Sequence, residues 1–179
     1  MIRVAKIQLE KLSDSSLNRM YDILIHAYAE TEVEVWGENY VRIGKDEFRE
    51  IIGRGEFYGA FIAGRIVGSV RVYKKDNETY SFGLLSADFD LKGQGIGKAL
   101  VDHIERFALD QGAKFMDLEI LRPIAIEVPF KIVLKNWYSK LGYKYTHSGT
   151  FAELKPDNVE KADKLIQPCT FDCYRKVLN

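Results

Sequence analysis

The sequence predicts an α+β domain built round a mixed sheet, and three observations carry that prediction. From Phe57 to Ala87 three β-rich segments are parted by tight turns, the pattern of an antiparallel meander. Amphipathic segments of helical period lie on both sides of that run. Between the meander and the next helix stands Leu91-Lys92-Gly93-Gln94-Gly95-Ile96-Gly97-Lys98-Ala99-Leu100, with glycine on alternate positions. A length of 179 residues suits one domain, 1–179, with a sizeable core, and no repeat, low-complexity tract or linker divides it.

Each element has its own signal. Arg3 to Leu9 alternates apolar and polar residues and predicts a first strand. Ser13-Asp14-Ser15 can cap a helix with Leu17, Met20, Tyr21, Leu24 and Ile25 on one face. Glu30 to Gly44 is irregular, acidic and aromatic, and a short helix follows over Asp46 to Arg54. Phe57–Ala63 and Arg65–Lys75 form a hairpin round Gly64, and Lys75-Asp76-Asn77-Glu78 turns the chain into a strand over Thr79–Ala87. A helix over Gly95–Gln111 turns Leu100, Ile104 and Phe107 inward, and Gly112 stops it. Lys114–Leu121 is a strand. Pro129 opens a helix to Leu141, whose apolar stripe is Phe130, Val133, Leu134, Trp137 and Leu141, with Gly142 as its stop. Tyr143–Phe151 and Thr170–Leu178 are closing strands, joined by a charged loop with a short helix.

Composition narrows the function. Lysine plus arginine equals aspartate plus glutamate, 26 each, so the basic excess of a broad nucleic-acid surface is missing. The N-terminus has no long apolar run; neither a signal peptide nor a membrane span is expected, and a cytoplasmic location follows. Cys169 and Cys173 fall on one face of the last strand, too far apart for a disulfide. His26, His103 and His147 are scattered, so no metal site is expected.

The glycine loop offers backbone N–H groups and the positive end of a helix dipole, a site for phosphate or pyrophosphate. A P-loop is excluded, because Lys92 stands where its first glycine belongs and Ala99 where serine or threonine must follow the lysine. A dinucleotide fingerprint fits poorly: its third glycine falls on Lys98 or Leu100, and a meander precedes it. Lys92-Gly93-Gln94-Gly95-Ile96-Gly97 resembles instead the Gln/Arg-x-x-Gly-x-Gly/Ala acyl-CoA motif of the GNAT superfamily of N-acyltransferases. Asn136-Trp137-Tyr138-Ser139-Lys140-Leu141-Gly142-Tyr143 resembles that family's second signature, and the element order fits over almost the whole chain.

The resemblance implies a three-layer α/β/α domain round a mixed, mostly antiparallel, seven-stranded sheet. It also implies acetyl-CoA as cosubstrate, no metal, and an acceptor amine on a small molecule, a protein N-terminus or a lysine. Carried over, the amides of Gly93, Gln94, Gly95, Ile96, Gly97 and Lys98 hold the pyrophosphate, and Asn136 adds to the cofactor site. Lys92 keeps the charge of the usual arginine but loses its planar fork. The strand end at Leu85, Ser86 and Ala87 supplies an amide to the thioester carbonyl.

Tyr138 matches the general acid that protonates the leaving thiolate; a thiol near pKa about 8.5 and a phenol near about 10 exchange a proton at little cost. The base is open. Tyr80, Ser81 and Phe82 stand where many members place a glutamate, which leaves Glu119, Glu78 or a water chain, with Asp88 and Asp90 also nearby. Glu30, Glu32, Glu34 and Glu38 can attract a cationic amine, and the apolar segment Arg122–Pro129 borders the acceptor cleft or makes a homodimer contact. The expected reaction is direct attack of the amine on the thioester in a ternary complex. The alternative is an acyl-CoA-binding sensor or interaction module without catalysis.

Overall fold

A computed structural model describes residues Met1–Asn179. Its strands are β1 (Arg3–Lys6), β2 (Phe57–Ile62), β3 (Arg65–Lys74), β4 (Thr79–Ala87), β5 (Phe115–Pro123), β6 (Lys144–Gly149) and β7 (Cys169–Val177). They form one seven-stranded sheet in the order β1-β2-β3-β4-β5-β7-β6. Every neighbouring pair is antiparallel except β4 and β5. The helices are α1 (Asp14–Thr31), α2 (Val33–Trp36), α3 (Lys45–Gly53), α4 (Ile96–Asp110), α5 (Pro129–Lys140) and α6 (Phe151–Leu154).

The layers follow from which apolar faces need cover. Leu17, Met20 and Leu24 of α1 and Phe48, Ile51 and Ile52 of α3 pack on Ile7, Phe57 and Ile66. Across the sheet, Leu100, Val101 and Ile104 of α4 and Tyr138 of α5 pack on Val70, Val72, Phe82, Met116 and Leu118. Trp36, Phe151, Leu121 and Phe171 make a smaller cluster where α2 and α6 meet β5 and β7. The α/β/α arrangement implied by the resemblance is therefore present.

The chain departs from the sequence-based expectations in a few places. The first strand ends at Lys6, and Leu9–Lys11 form a 3-10 turn. Most of the early part of the expected irregular stretch is helical, because α1 runs on to Thr31 and α2 follows at once. The last closing hairpin is shorter: β6 stops at Gly149, where Thr150 and Glu153 form a reciprocal cap for α6.

Helix α5 is also rotated from its expected face. Lys131 and Tyr138, two turns apart, are its buried residues, whereas Phe130, Ile132 and Val133 are exposed. Lys131 is drawn in because its ammonium meets a buried carboxylate, Glu32, at the end of α1 (2.7 Å).

Two irregularities in the sheet set up the site. β4 and β5 pair over only three positions, Thr79–Phe115, Tyr80–Met116 and Ser81–Asp117, and then part. From Phe82 to Ala87 the edge of β4 that faces β5 has no partner strand. On its other edge β4 carries a bulge: Ser86 pairs with Ser69 and Gly83 with Arg71, so Leu84 and Leu85 oppose Val70 alone. Leu84 is held at φ +49°, a conformation a bulky side chain rarely adopts.

Asp117 locks the point of divergence. It is buried and accepts hydrogen bonds from Nε and Nη2 of Arg175 on β7 (2.7 and 2.9 Å) and from Lys75 (3.0 Å). Burial by itself would raise the carboxyl's pKa, but these hydrogen bonds and charges outweigh it and hold the group below the usual range. A carboxyl lowered by folding stabilises above its unfolded pKa and loses that contribution as pH falls through the folded value. The denaturation midpoint of the wild-type chain is thus expected to fall below about pH 4. Asp117→Asn, less stable at neutral pH, shows a shallower acid slope, so urea midpoints of the two proteins converge as the pH falls through the lowered folded value.

Candidate active site

A cavity of about 740 Å³ opens where β4 and β5 part. One end is the glycine loop. Asp88 caps a 3-10 turn over Phe89–Leu91 and is ion-paired with Arg19 of α1, which pins the loop to the helix. The chain then enters α4 through Gly93 (φ +84°) and Gly95 (φ +79°), conformations that favour glycine. Gly95 is the N-cap and supplies no side-chain oxygen to the helix.

The first amide of α4 with an intrahelical partner is that of Ala99, which donates to the Gly95 carbonyl (2.9 Å). Those of Gly93, Gly95, Ile96, Gly97 and Lys98 have no partner in the chain. All five residues line the cavity, as does Lys92. Gln94 does not belong to this group, since its amide is spent on the Leu91 carbonyl (3.3 Å) and its side chain is exposed. Lys92 reaches over the Phe89 ring (5.5 Å), and the Lys98 ammonium pairs with Asp102 (2.6 Å), leaving the Lys98 amide free.

Two glycines, Gly68 outside the motif and Gly97 at its end, seat this loop. A Cβ on Gly68 of β3 would lie 2.7 Å from the Ser86 carbonyl and 2.9 Å from Ile96 Cγ2. Only glycine lets the start of α4 rest on the sheet here. A Cβ on Gly97 would touch the Trp137 ring at 3.4 Å, so α5 packs directly on the first turn of α4.

Of the other expected residues, Leu85 and Ala87 line the cavity beside the β4 bulge. Asn136 is exposed on the far side of α5 and does not. Tyr138 lines the cavity with its ring packed among Phe82, Trp137 and Tyr143. Burial, with the neighbouring Tyr28, raises its pKa above the ordinary phenol value, so it is protonated at neutral pH. Glu119 lines the cavity two residues beyond Asp117, where the strands have just parted, and is ion-paired with Lys155.

Glu78 lies elsewhere. It sits in the turn before β4, exposed and paired with Lys114, at the end of the strand where β4 and β5 are still joined. A carboxylate there cannot reach the opening, and the geometry removes it as a base. Asp90 is likewise outside the lining.

The acidic stretch is corrected as well. Glu30, Glu34 and Glu38 are exposed and absent from the cavity wall. Glu32 is buried and accepts hydrogen bonds from Lys131 (2.7 Å) and Trp36 Nε1 (2.9 Å), with Arg42 at 3.5 Å. Every carboxylate on the wall is ion-paired: Glu32, Glu47 with Lys161, Asp88, and Glu119. Arg122–Pro129 contributes nothing to the lining; Ile124 and Ile126 point to solvent and Val128 into the core. No cluster of three or more His, Cys, Asp or Glu side chains is placed to hold a metal, and both cysteines are free thiols. No helix is long and apolar enough to cross a membrane.

The fold is that of acetyltransferases of known structure. A PaiA N-acetyltransferase from Thermoplasma acidophilum in complex with coenzyme A superposes with a TM-score of 0.73 at 16% identity, over 99% of each chain. An aminoglycoside 6'-N-acetyltransferase complexed with coenzyme A gives 0.70 at 15% identity, over 99% of this chain and 97% of the other. A GNAT family acetyltransferase from Elizabethkingia anophelis with acetyl-CoA bound gives 0.67 at 17%, over 99% and 98%. No curated protein sequence matches the chain. Residues 17–128 match the acetyltransferase (GNAT) family, and the chain belongs to that family.

Proposed function

We propose that this acetyltransferase takes its acetyl group from acetyl-CoA and passes it to an amine by direct attack in a ternary complex. The observation that carries the reading is the set of free amides at Gly93 and Gly95–Lys98, whose residues line the same cavity as Tyr138. Converging amides at a helix N-terminus suit a pyrophosphate. From there the pantetheine arm runs along the unpaired edge of β4, and an amide of the Leu84–Leu85 bulge polarises the thioester carbonyl.

Tyr138 then protonates the departing thiolate. Its raised pKa keeps the proton in place before reaction, and the same low-dielectric wall raises the proton affinity of the thiolate it must neutralise. Glu119, through water, takes the proton that the ammonium must lose before it attacks.

Calorimetry with acetyl-CoA tests the cosubstrate: binding at micromolar to millimolar ligand is expected, and its absence at millimolar ligand overturns the reading. Thiol release over a panel of amines separates an enzyme from a sensor that binds acyl-CoA without turning it over.

A further inference from the structure

We propose that the acceptor carries a carboxylate beside its amine, and that Arg42 binds that carboxylate. The inference rests on the transferase reading and names the substrate class for the same cavity.

Charge at the end of the cavity away from the glycine loop is unevenly matched. Lys155 has Glu119, Lys161 has Glu47, and Arg71 has Glu56. Lys131 and Arg42 share one carboxylate, Glu32. The group of three, with Glu32 and Lys131 buried and Arg42 half-buried, thus holds two positive charges and one negative. Lys131 takes the close contact at 2.7 Å, while Arg42 is left at 3.5 Å with no hydrogen bond to it. Arg42 Nε is buried without any hydrogen-bond partner. The rest of the side chain, which is 23% exposed overall, lines the cavity.

An arginine has five N–H donors in a planar fork, and that fork matches the two oxygens of a carboxylate. Here the fork is also held in place. The guanidinium lies over the rings of Trp36 (5.5 Å) and Tyr28 (5.7 Å), and Tyr40 stacks on Trp36 at 4.5 Å. These ring contacts restrict the orientation of the cation, so part of the cost of ordering it is met before a ligand arrives.

Tyr28, the ring beside Arg42, lines the same cavity as Tyr138. In the proposed pose the amine lies at the thioester near Tyr138 and the carboxylate lies at Arg42, with Tyr28 on the wall of the same cavity. The same excess of positive charge repels a polycationic amine.

The test uses the full chain with acetyl-CoA and matched acceptors: the standard L-amino acids, their α-amides, and spermidine as a polycation. At least one amino acid is expected to show a kcat/KM tenfold or more above its amide. Arg42→Gln removes that preference by raising KM for the carboxylate at least tenfold, with acetyl-CoA affinity unchanged. Arg42→Lys, which keeps charge without the fork, recovers part of it.

Thermal shift of the CoA complex by the same amino acids and amides gives a readout that needs no turnover and works on the wild-type chain alone. Turnover of amides or spermidine without a carboxylate preference leaves the transferase reading standing and overturns the anion site. A carboxylate-dependent shift, lost in Arg42→Gln, with no thiol release leaves the site standing and overturns the transfer. No shift and no turnover with any amino acid overturns the anion site.

Discussion

Tyr138→Phe lowers thiol release by about 10²–10⁴-fold while leaving acetyl-CoA affinity within a few-fold of wild type. The ring stays, so the contacts with Phe82, Trp137 and Tyr143 persist and only the hydroxyl is lost. Phenylalanine at a buried position that carries no intrachain bond at its oxygen costs the fold little, so a fall in rate is a chemical effect. The profile against pH sharpens the test. Burial holds the phenol's pKa above its ordinary value of about 10, so loss of its proton does not limit the wild-type rate between about pH 7 and pH 9. A rate in Tyr138→Phe equal to wild type near neutral pH would remove Tyr138 from the mechanism.

Lys131→Met destabilises the fold by about 3–5 kcal/mol, because it strips a close partner from a buried carboxylate. At about 2–4 °C per kcal/mol for a chain of this size, the melting temperature falls by roughly 6–20 °C. Burial would by itself raise the Glu32 carboxyl; the charges of Lys131 and Arg42 and the bonds from Lys131 and Trp36 overcome it and lower its pKa. With Lys131 gone, much of that compensation goes too. The double variant Glu32→Gln, Lys131→Met therefore regains a large part of the lost stability, and a double-mutant cycle of melting curves measures the coupling. A Lys131→Met protein that melts within about 1 °C of wild type would show that the pair contributes nothing net.

Elements with strong local signals were legible in the sequence. The meander, the glycine loop, the Ser13 cap and the Gly112 and Gly142 stops all rest on turn chemistry or periodicity, which act within a few residues. The features that define the cavity do not. The early parting of β4 from β5 depends on where two distant segments cease to pair, and the Leu84 bulge uses a residue type that no turn rule flags. Gly68 is unremarkable in a strand until Ile96 and Ser86 are placed around it.

The burial of Lys131 is hidden for a related reason. On a helix of mixed composition a lysine marks the outer face unless a partner lies opposite, and Glu32 is 99 positions away in the chain. Its spacing of seven from Tyr138 was the available signal, since both then fall on one face of the helix. Glu78 and Glu119 are alike as isolated letters, and only the strand register separates the one in the turn from the one at the opening.

Helix α4 begins without a side-chain cap, its first amides without a partner in the chain and its N-cap a glycine in the left-handed region. The helix is thus left unfinished by its own sequence, and an anion that docks there completes it. Ligand and fold are then linked: at a hundredfold excess over its Kd, a molecule that binds only the folded chain adds about 2.7 kcal/mol to stability. The resistance of this protein to unfolding becomes a gauge of how much cosubstrate surrounds it.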